Sequence, residues 1–263
     1  GPGLSVAETL LVERRGRVAI CTLNRPEVRN AIDDDLRERF LAELTALHGE
    51  ESVSAVVVTG AGKAFCSGGD VSGMQQRLAQ PATLIAERGW ERQQRTAALV
   101  AALHNANAIT IAAVNGAAVG LGLDLALACD FVIASPAATF ASSFVRRGLI
   151  PDGGGLYFLP RRIGLQPTKD LVFTGRRVDA TEALRIGLAD EVTDTTDVLT
   201  AAVAYAETIC EHPRSALVLT KSILNRTFES SPETIAALGG SAQAISYTTA
   251  GHHAAVEAFL RRG

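Results

Sequence analysis

Apolar, β-branched runs punctuate the first half of the chain at RVAICTL (17–23), SAVVVTG (54–60), ITIAAVNG (109–116) and DFVIAS (130–135). Each reads as a strand, and helical periodicity between several of them predicts α/β organisation. The first helix is signposted by Asp33, Asp34 and Asp35 at its start. Leu36, Phe40, Leu44 and Leu47 fall on one face, and Gly49 ends it. A second helical stretch, from about Thr83 to His104, carries Trp90 and an alanine-rich end. Packing is its main expected task, with a pocket wall as the alternative. From Asp179 the pattern turns helical, beginning at DATEALRIG, where Asp179 caps, Glu182 follows three residues on and Gly187 stops the turn. TDVLTAAVAYAETICEH halts before Pro213, SALVLTKSILNRTF comes next, and Ser231-Pro232 opens a last segment running towards Phe259 and Leu260. No long linker or low-complexity tract interrupts this order.

Composition narrows the class. With 263 residues, 47% apolar and 20% charged, the chain can build one sizeable core plus an appended element. A formal charge of -3 gives no global reason to bind nucleic acid or an anionic membrane, so an anionic ligand must be met by local groups. The longest apolar stretch, Ile109 to Ala134, is interrupted by Asn115, Asp124 and Asp130 and does not read as a membrane span. Cys21, Cys66, Cys129 and Cys210 form no CxxC pair, which argues against a zinc site or disulfide framework and fits a reducing cytoplasm. Gly1-Pro2-Gly3 reads as a tag-cleavage scar.

Candidate chemistry lies in two glycine-rich turns, GKAFCSGGD (62–70) after the second strand and NGAAVGLGLDLALACD (115–130) after the third. Phosphate-loop, dinucleotide, GxSxG and HExxH patterns all fail here, removing those classes. A pair of turns presenting free backbone N–H groups, one opening a helix, can form an oxyanion hole. A third block, GLIPDGGG (148–155), places Asp152 between an apolar run and three glycines. It reads either as ordinary turn chemistry or as a catalytic carboxylate beside a closely approaching ligand. Cys66 lacks a sequence-adjacent His to activate it, and His48, His104, His212, His252 and His253 fall outside these blocks.

Together with NRPEVRNAI (24–32), these blocks resemble the enoyl-CoA hydratase/isomerase (crotonase) superfamily, in order and over nearly the whole chain. The resemblance implies an α/β spiral of strand-strand-helix (ββα) units over 4–195. Residues 196–263 would form a C-terminal α-helical oligomerisation region building homotrimers or dimers of trimers. It further implies an acyl-CoA thioester substrate, with no separate cofactor and no metal, whose carbonyl is held by the N–H groups of Gly69 and Leu121. Arg25, Arg29 and Lys63, with Arg261 and Arg262 of a neighbouring subunit, are candidates for coenzyme A. Gly69, Asp70, Val71, Ser72 and Phe144 would line the substrate site. The two glutamates of family hydratases correspond to Asp124 and Phe144, so the usual water-adding pair is incomplete. Asp152 matches the position where several double-bond isomerases carry their proton-shuttling acid. Burial beside Leu149, Ile150 and Phe144 is expected to raise its pKa. Asp124 is left as a second acid/base group, a water-orienting group or a helix cap. Isomerisation of a double bond or ring is thus the leading expectation; enoyl-CoA hydration and a non-catalytic CoA-ester-binding oligomer are the alternatives.

Overall fold

A computed structural model describes residues 8–195 and 197–261; Gly1-Pro2-Gly3 and Arg262 lie outside the described residues. Among the described residues, ten strands form two sheets. The larger has the order β1 (Leu10–Arg15), β2 (Val18–Leu23), β3 (Ala55–Gly60), β5 (Ile109–Val114), β7 (Phe131–Ala134) and β10 (Glu191–Val192). All its neighbours run parallel except the β1–β2 hairpin. The smaller sheet orders β4 (Ala64–Cys66), β6 (Ala117–Val119), β8 (Thr139–Ala141) and β9 (Val178–Asp179), with only the β8–β9 pair antiparallel.

Helices α1 (Asp34–His48), α2 (Met74–Leu78), α3 (Ala82–His104), α4 (Leu121–Ala128), α5 (Gly155–Ile163), α6 (Leu165–Thr174) and α7 (Ala180–Ile186) are interspersed among these strands. α8 (Val198–Cys210), α9 (Arg214–Leu224), α10 (Pro232–Tyr247) and α11 (Ala250–Leu260) follow. Strands β2, β3, β5 and β7 are apolar at nearly every position because both sheet faces are covered. On one face, Leu36, Phe40 and Leu44 of α1 and Leu99 and Leu103 of α3 pack on Cys21, Val56 and Val58. On the other, Val198, Ala202, Val203 and Ala206 of α8 meet Ile20, Val57, Ile111 and Ile133. The helical C-terminal segment therefore begins by closing the sheet's second face. α9 is tied to the same body by buried Lys221, whose Nζ lies 2.7 Å from Asp130 and donates to the Ala108 carbonyl at 2.9 Å.

The helix-start residues act as anticipated: Asp33 accepts from Leu36 N and Asp179 from Glu182 N, both at 2.8 Å, while Gly187 ends α7 at φ +82°. The last segment is two helices, because Thr249 caps a fresh start by accepting from His252 N at 3.2 Å. Among the described residues, no helix is long and apolar enough to cross a membrane.

Candidate active site

The two glycine turns meet. A Cβ added at Gly68 would stand 3.0 Å from the Val119 carbonyl oxygen and 3.6 Å from Leu121 N, and one at Gly122 only 2.1 Å from the Cys66 carbonyl. Gly68 (φ +105°) and Gly120 (φ +57°, ψ -122°) hold backbone conformations that L side chains rarely adopt. Gly69 is fixed from both sides: Ile32 N donates to Gly68 O at 2.8 Å, and Asp70 N donates to Ile32 O at 2.9 Å. Among the described residues, neither the Gly69 nor the Leu121 amide donates a hydrogen bond. Both line one cavity of about 600 Å³, together with Phe144 and Asp152.

Asn30, unmarked in the sequence reading, holds the framework of this corner. It is fully buried at φ +57°, a left-handed conformation that asparagine tolerates better than most residues. Its amide donates to the carbonyls of Ala61 and Ala64 at 2.9 Å and Phe65 at 3.2 Å, and its oxygen accepts from Arg25 N at 2.9 Å. The NRPEVRNAI block carried the signal, since an Asn within a charged turn is a candidate αL residue.

The cations proposed for coenzyme A are placed unequally. Arg25 is engaged internally, pairing with Asp33 at 3.1 Å and Asp70 at 3.0 Å and donating to Ala31 O at 2.6 Å. Asp70 also accepts from Ser72 N at 2.8 Å; the Ser72 hydroxyl first, then that amide and Arg25, keep its carboxyl below the usual carboxylate range. Val71 and Ser72 line the cavity. Lys63 is exposed and outside the lining, Arg29 is an exposed turn residue, and Arg261 pairs with Glu257 at 3.3 Å near the end of α11.

Asp124 lies wholly buried in α4; among the described residues no well-formed hydrogen bond reaches its carboxyl oxygens, and only the nearby amides of Gly153 and Gly155 favour its charged form. It is no helix cap: the residue before α4 is Gly120, and Asp124 stands in the fourth helical position. Burial first, then repulsion from Asp152, pushes its pKa up to about 8, so the group holds its proton at neutral pH. The glycines of GLIPDGGG serve this carboxyl. A Cβ at Gly153 would fall 2.6 Å from its Oδ2, and one at Gly155 2.5 Å from its Oδ1. Gly153 and Gly155 thus make room for a buried acid, a role the sequence analysis did not assign them.

Asp152 faces the cavity. Its carbonyl accepts from Gln93 Nε2 of α3 at 2.6 Å. Partial burial raises its pKa and the Arg92 charge lowers it, with burial the larger effect. Leu149, which lines the same cavity, and Ile150 are 54% and 66% exposed and cover the group only in part. Phe144 opens a short 3-10 turn, and its ring approaches within 3.7 Å of where a Gly120 Cβ would stand, making an apolar wall. Of the other cavity-lining acids, Asp33 and Asp70 pair with Arg25, and Asp34 with Arg37. Cys66 is buried and its thiol is pushed up to about 12, which removes it as a nucleophile. His104 packs against Tyr157 and Phe158, away from this cavity.

Two glycine turns joined at a cavity, each with a free amide, are matched by a family relationship. The pattern described as enoyl-CoA hydratase/isomerase covers residues 13–263. The chain belongs to that family. A Mycobacterium tuberculosis protein named "Probable enoyl-CoA hydratase" is 41% identical over 210 residues, 80% of this chain and 78% of that one. The short-chain-enoyl-CoA hydratase of Clostridium acetobutylicum is 32% identical over 254 residues, covering 96% and 95%. The crystal structure of enoyl-CoA hydratase from Bacillus anthracis superposes with a TM-score of 0.89 at 28% identity over 97% of both chains. The α/β crotonase fold, two mixed sheets with C-terminal helices, is thereby shown, and the protein is an enzyme of the enoyl-CoA hydratase/isomerase family.

Proposed function

We propose that the protein adds water to a 2-enoyl-CoA thioester, with Asp152 as the proton-transfer group and the amides of Gly69 and Leu121 as the oxyanion hole. The observation carrying this reading is the convergence of two undonated amides and one unpaired carboxylate on a single cavity. The relatives' names support hydration over the double-bond shift that the sequence alone favoured. The thioester oxygen accepts from both amides, each able to stabilise developing negative charge by about 2.7–4 kcal/mol. Ionised Asp152 takes a proton from water while the oxygen adds to the β-carbon and the π electrons move onto the thioester as an enolate. The same carboxyl then returns the proton to the α-carbon, completing addition of H and OH. Asp124, buried and protonated, stays out of these steps. Coenzyme A phosphates would be met by exposed cations such as Lys63, and the C-terminal helices would assemble homotrimers or dimers of trimers.

A second reading, isomerisation, is favoured by Phe144 lining the wall where family hydratases carry an acid. A 1,3-proton shift needs only Asp152 and no water. Turnover of 2-enoyl- and 3-enoyl-CoA in 18O-labelled water separates the two. Label on the β-carbon is expected; a moved double bond without label would establish the isomerase. Asp152→Asn should lower kcat by about 100- to 10,000-fold in either case while leaving CoA-ester binding intact. Retained turnover would remove Asp152 from the chemistry. No turnover of any ester by the wild type would leave the CoA-ester-binding oligomer.

A further inference from the structure

The stretch of α3 facing the cavity has the wrong chemistry for a hydrocarbon tail. Gly89, Arg92, Gln93 and Thr96 recur at i, i+3, i+4 and i+7, which places them on one helical stripe, and all four line the cavity. One turn further on, the buried face of α3 is apolar, at Leu99, Val100 and Leu103. The change from aliphatic to polar occurs where the helix leaves the core and meets the cavity. Across from it, α1 contributes Arg37, only 4% exposed. Its sole ionic partner among the described residues is Asp34, whose side chain is 68% exposed, and its buried Nε has no hydrogen-bond partner. Arg92 and Arg147 also line the cavity and form neither a hydrogen bond nor an ion pair among the described residues. An alkyl chain in this space would strip water from three guanidinium groups and return no hydrogen bond to any of them.

We propose that the acyl group of the substrate carries an anionic substituent, a carboxylate, received by Arg37, Arg92 and Arg147. This rests on the acyl-CoA reading above and adds a substrate class to it. The stripe meets the acyl chain rather than the nucleotide because Gln93, next to Arg92, donates to the carbonyl of Asp152. The group that exchanges protons with the acyl carbons is thus fastened to the helix that carries the arginine. Arg37 gains an acceptor for its orphaned Nε, and the fork of a guanidinium matches a carboxylate in shape. A buried donor left unpaired by an alkyl analogue discriminates more strongly than a hydrophobic pocket does.

The test uses trans-2-enoyl-CoA esters matched in chain length and ending in carboxylate, carboxamide or methyl, with free coenzyme A as a competing ligand. Expected is a kcat/KM for the carboxylate ester about 10- to 100-fold above the methyl ester. Arg92→Gln and Arg147→Gln should each reduce that preference several-fold with unchanged inhibition by free coenzyme A. Arg37→Gln should do the same where it folds; the two exposed arginines decide the matter if it does not. A methyl ester used as well as or better than the carboxylate overturns the proposal. So does an equal weakening of free coenzyme A by the variants, which would assign the arginines to its phosphates. If the wild type turns over none of the esters, the hydratase reading fails. Competition binding of the matching saturated esters then still reads the carboxylate preference on its own.

Discussion

A carboxyl group sealed in a protein interior with few hydrogen bonds is costly when ionised and tolerable when protonated. Asp124 is in that position, and its pKa, pushed up to about 8, expresses the difference. Because the folded-state pKa lies above the unfolded value of 3.8, the native state holds more protons than the unfolded chain between the two. Stability from this group is complete below the lower value and is lost as pH rises to about 8, with a slope of at most about 1.4 kcal/mol per pH unit for one proton. Asp124→Asn, a neutral near-isostere, should flatten that decline. Urea unfolding between pH 4 and 9 is expected to show the variant gaining on the wild type as pH rises, and parallel curves would mean that Asp124 titrates normally. The same proton explains how two carboxyl groups in electrostatic contact can coexist: with Asp124 neutral, Asp152 can ionise without a buried like charge beside it.

The elements that shape the site depend on a few backbone ties, and Asn30 is the densest of them. Its two amide hydrogens, shared among three carbonyls, hold β4 and the preceding turn against the Arg25–Ala31 segment, next to which Ile32 reaches across to fix Gly69. Asn30→Ala removes the donors, leaves buried carbonyls unpaired and places alanine at φ +57°. A loss of about 2–4 kcal/mol is expected in equilibrium unfolding; a change below about 0.5 kcal/mol would show that the turn holds itself. The long apolar strands and the capped helices were legible in the sequence because burial on both faces and cap chemistry are local signals. β1 was not, since five of its six residues are exposed and its charges mask the alternation. β4 and β6 were not, because three-residue strands inside glycine-rich blocks look like turns until the smaller sheet assembles them, and the three residues of β8 are too few to show a period. At the site, Asp152 and the two amides could be proposed from motif blocks. The packing of Asp124 against Gly153 and Gly155 joins residues about thirty positions apart, and the Arg37–Arg92 wall joins two helices. Tertiary placement alone reveals those.

At the scale of the whole molecule, the C-terminal helices leave their apolar side chains largely uncovered. α10 has 16 residues and α11 has 11, yet neither contributes a buried residue. Helices of that length draw most of their stability from tertiary packing of an apolar face, not from intrinsic propensity. The apolar surface is present but uncovered: Phe228 is 75% exposed, Phe259 78% and Leu260 70%, with Leu224, Ile245 and Tyr247 also open. Such clustering on one segment is characteristic of a surface that another chain covers. The proposed homotrimer, or dimer of trimers, supplies that cover and predicts a measurable link between assembly and stability. Sedimentation velocity at micromolar concentration should find three- or six-chain species, with a melting temperature that rises with protein concentration. Phe259→Asp places a charge in the surface proposed as the interface and should shift the population to smaller, less stable species. A wild-type chain that sediments as a monomer with concentration-independent melting would show that α10 and α11 stand without a partner. The need for assembly would then have to be replaced by some stabilisation internal to the chain.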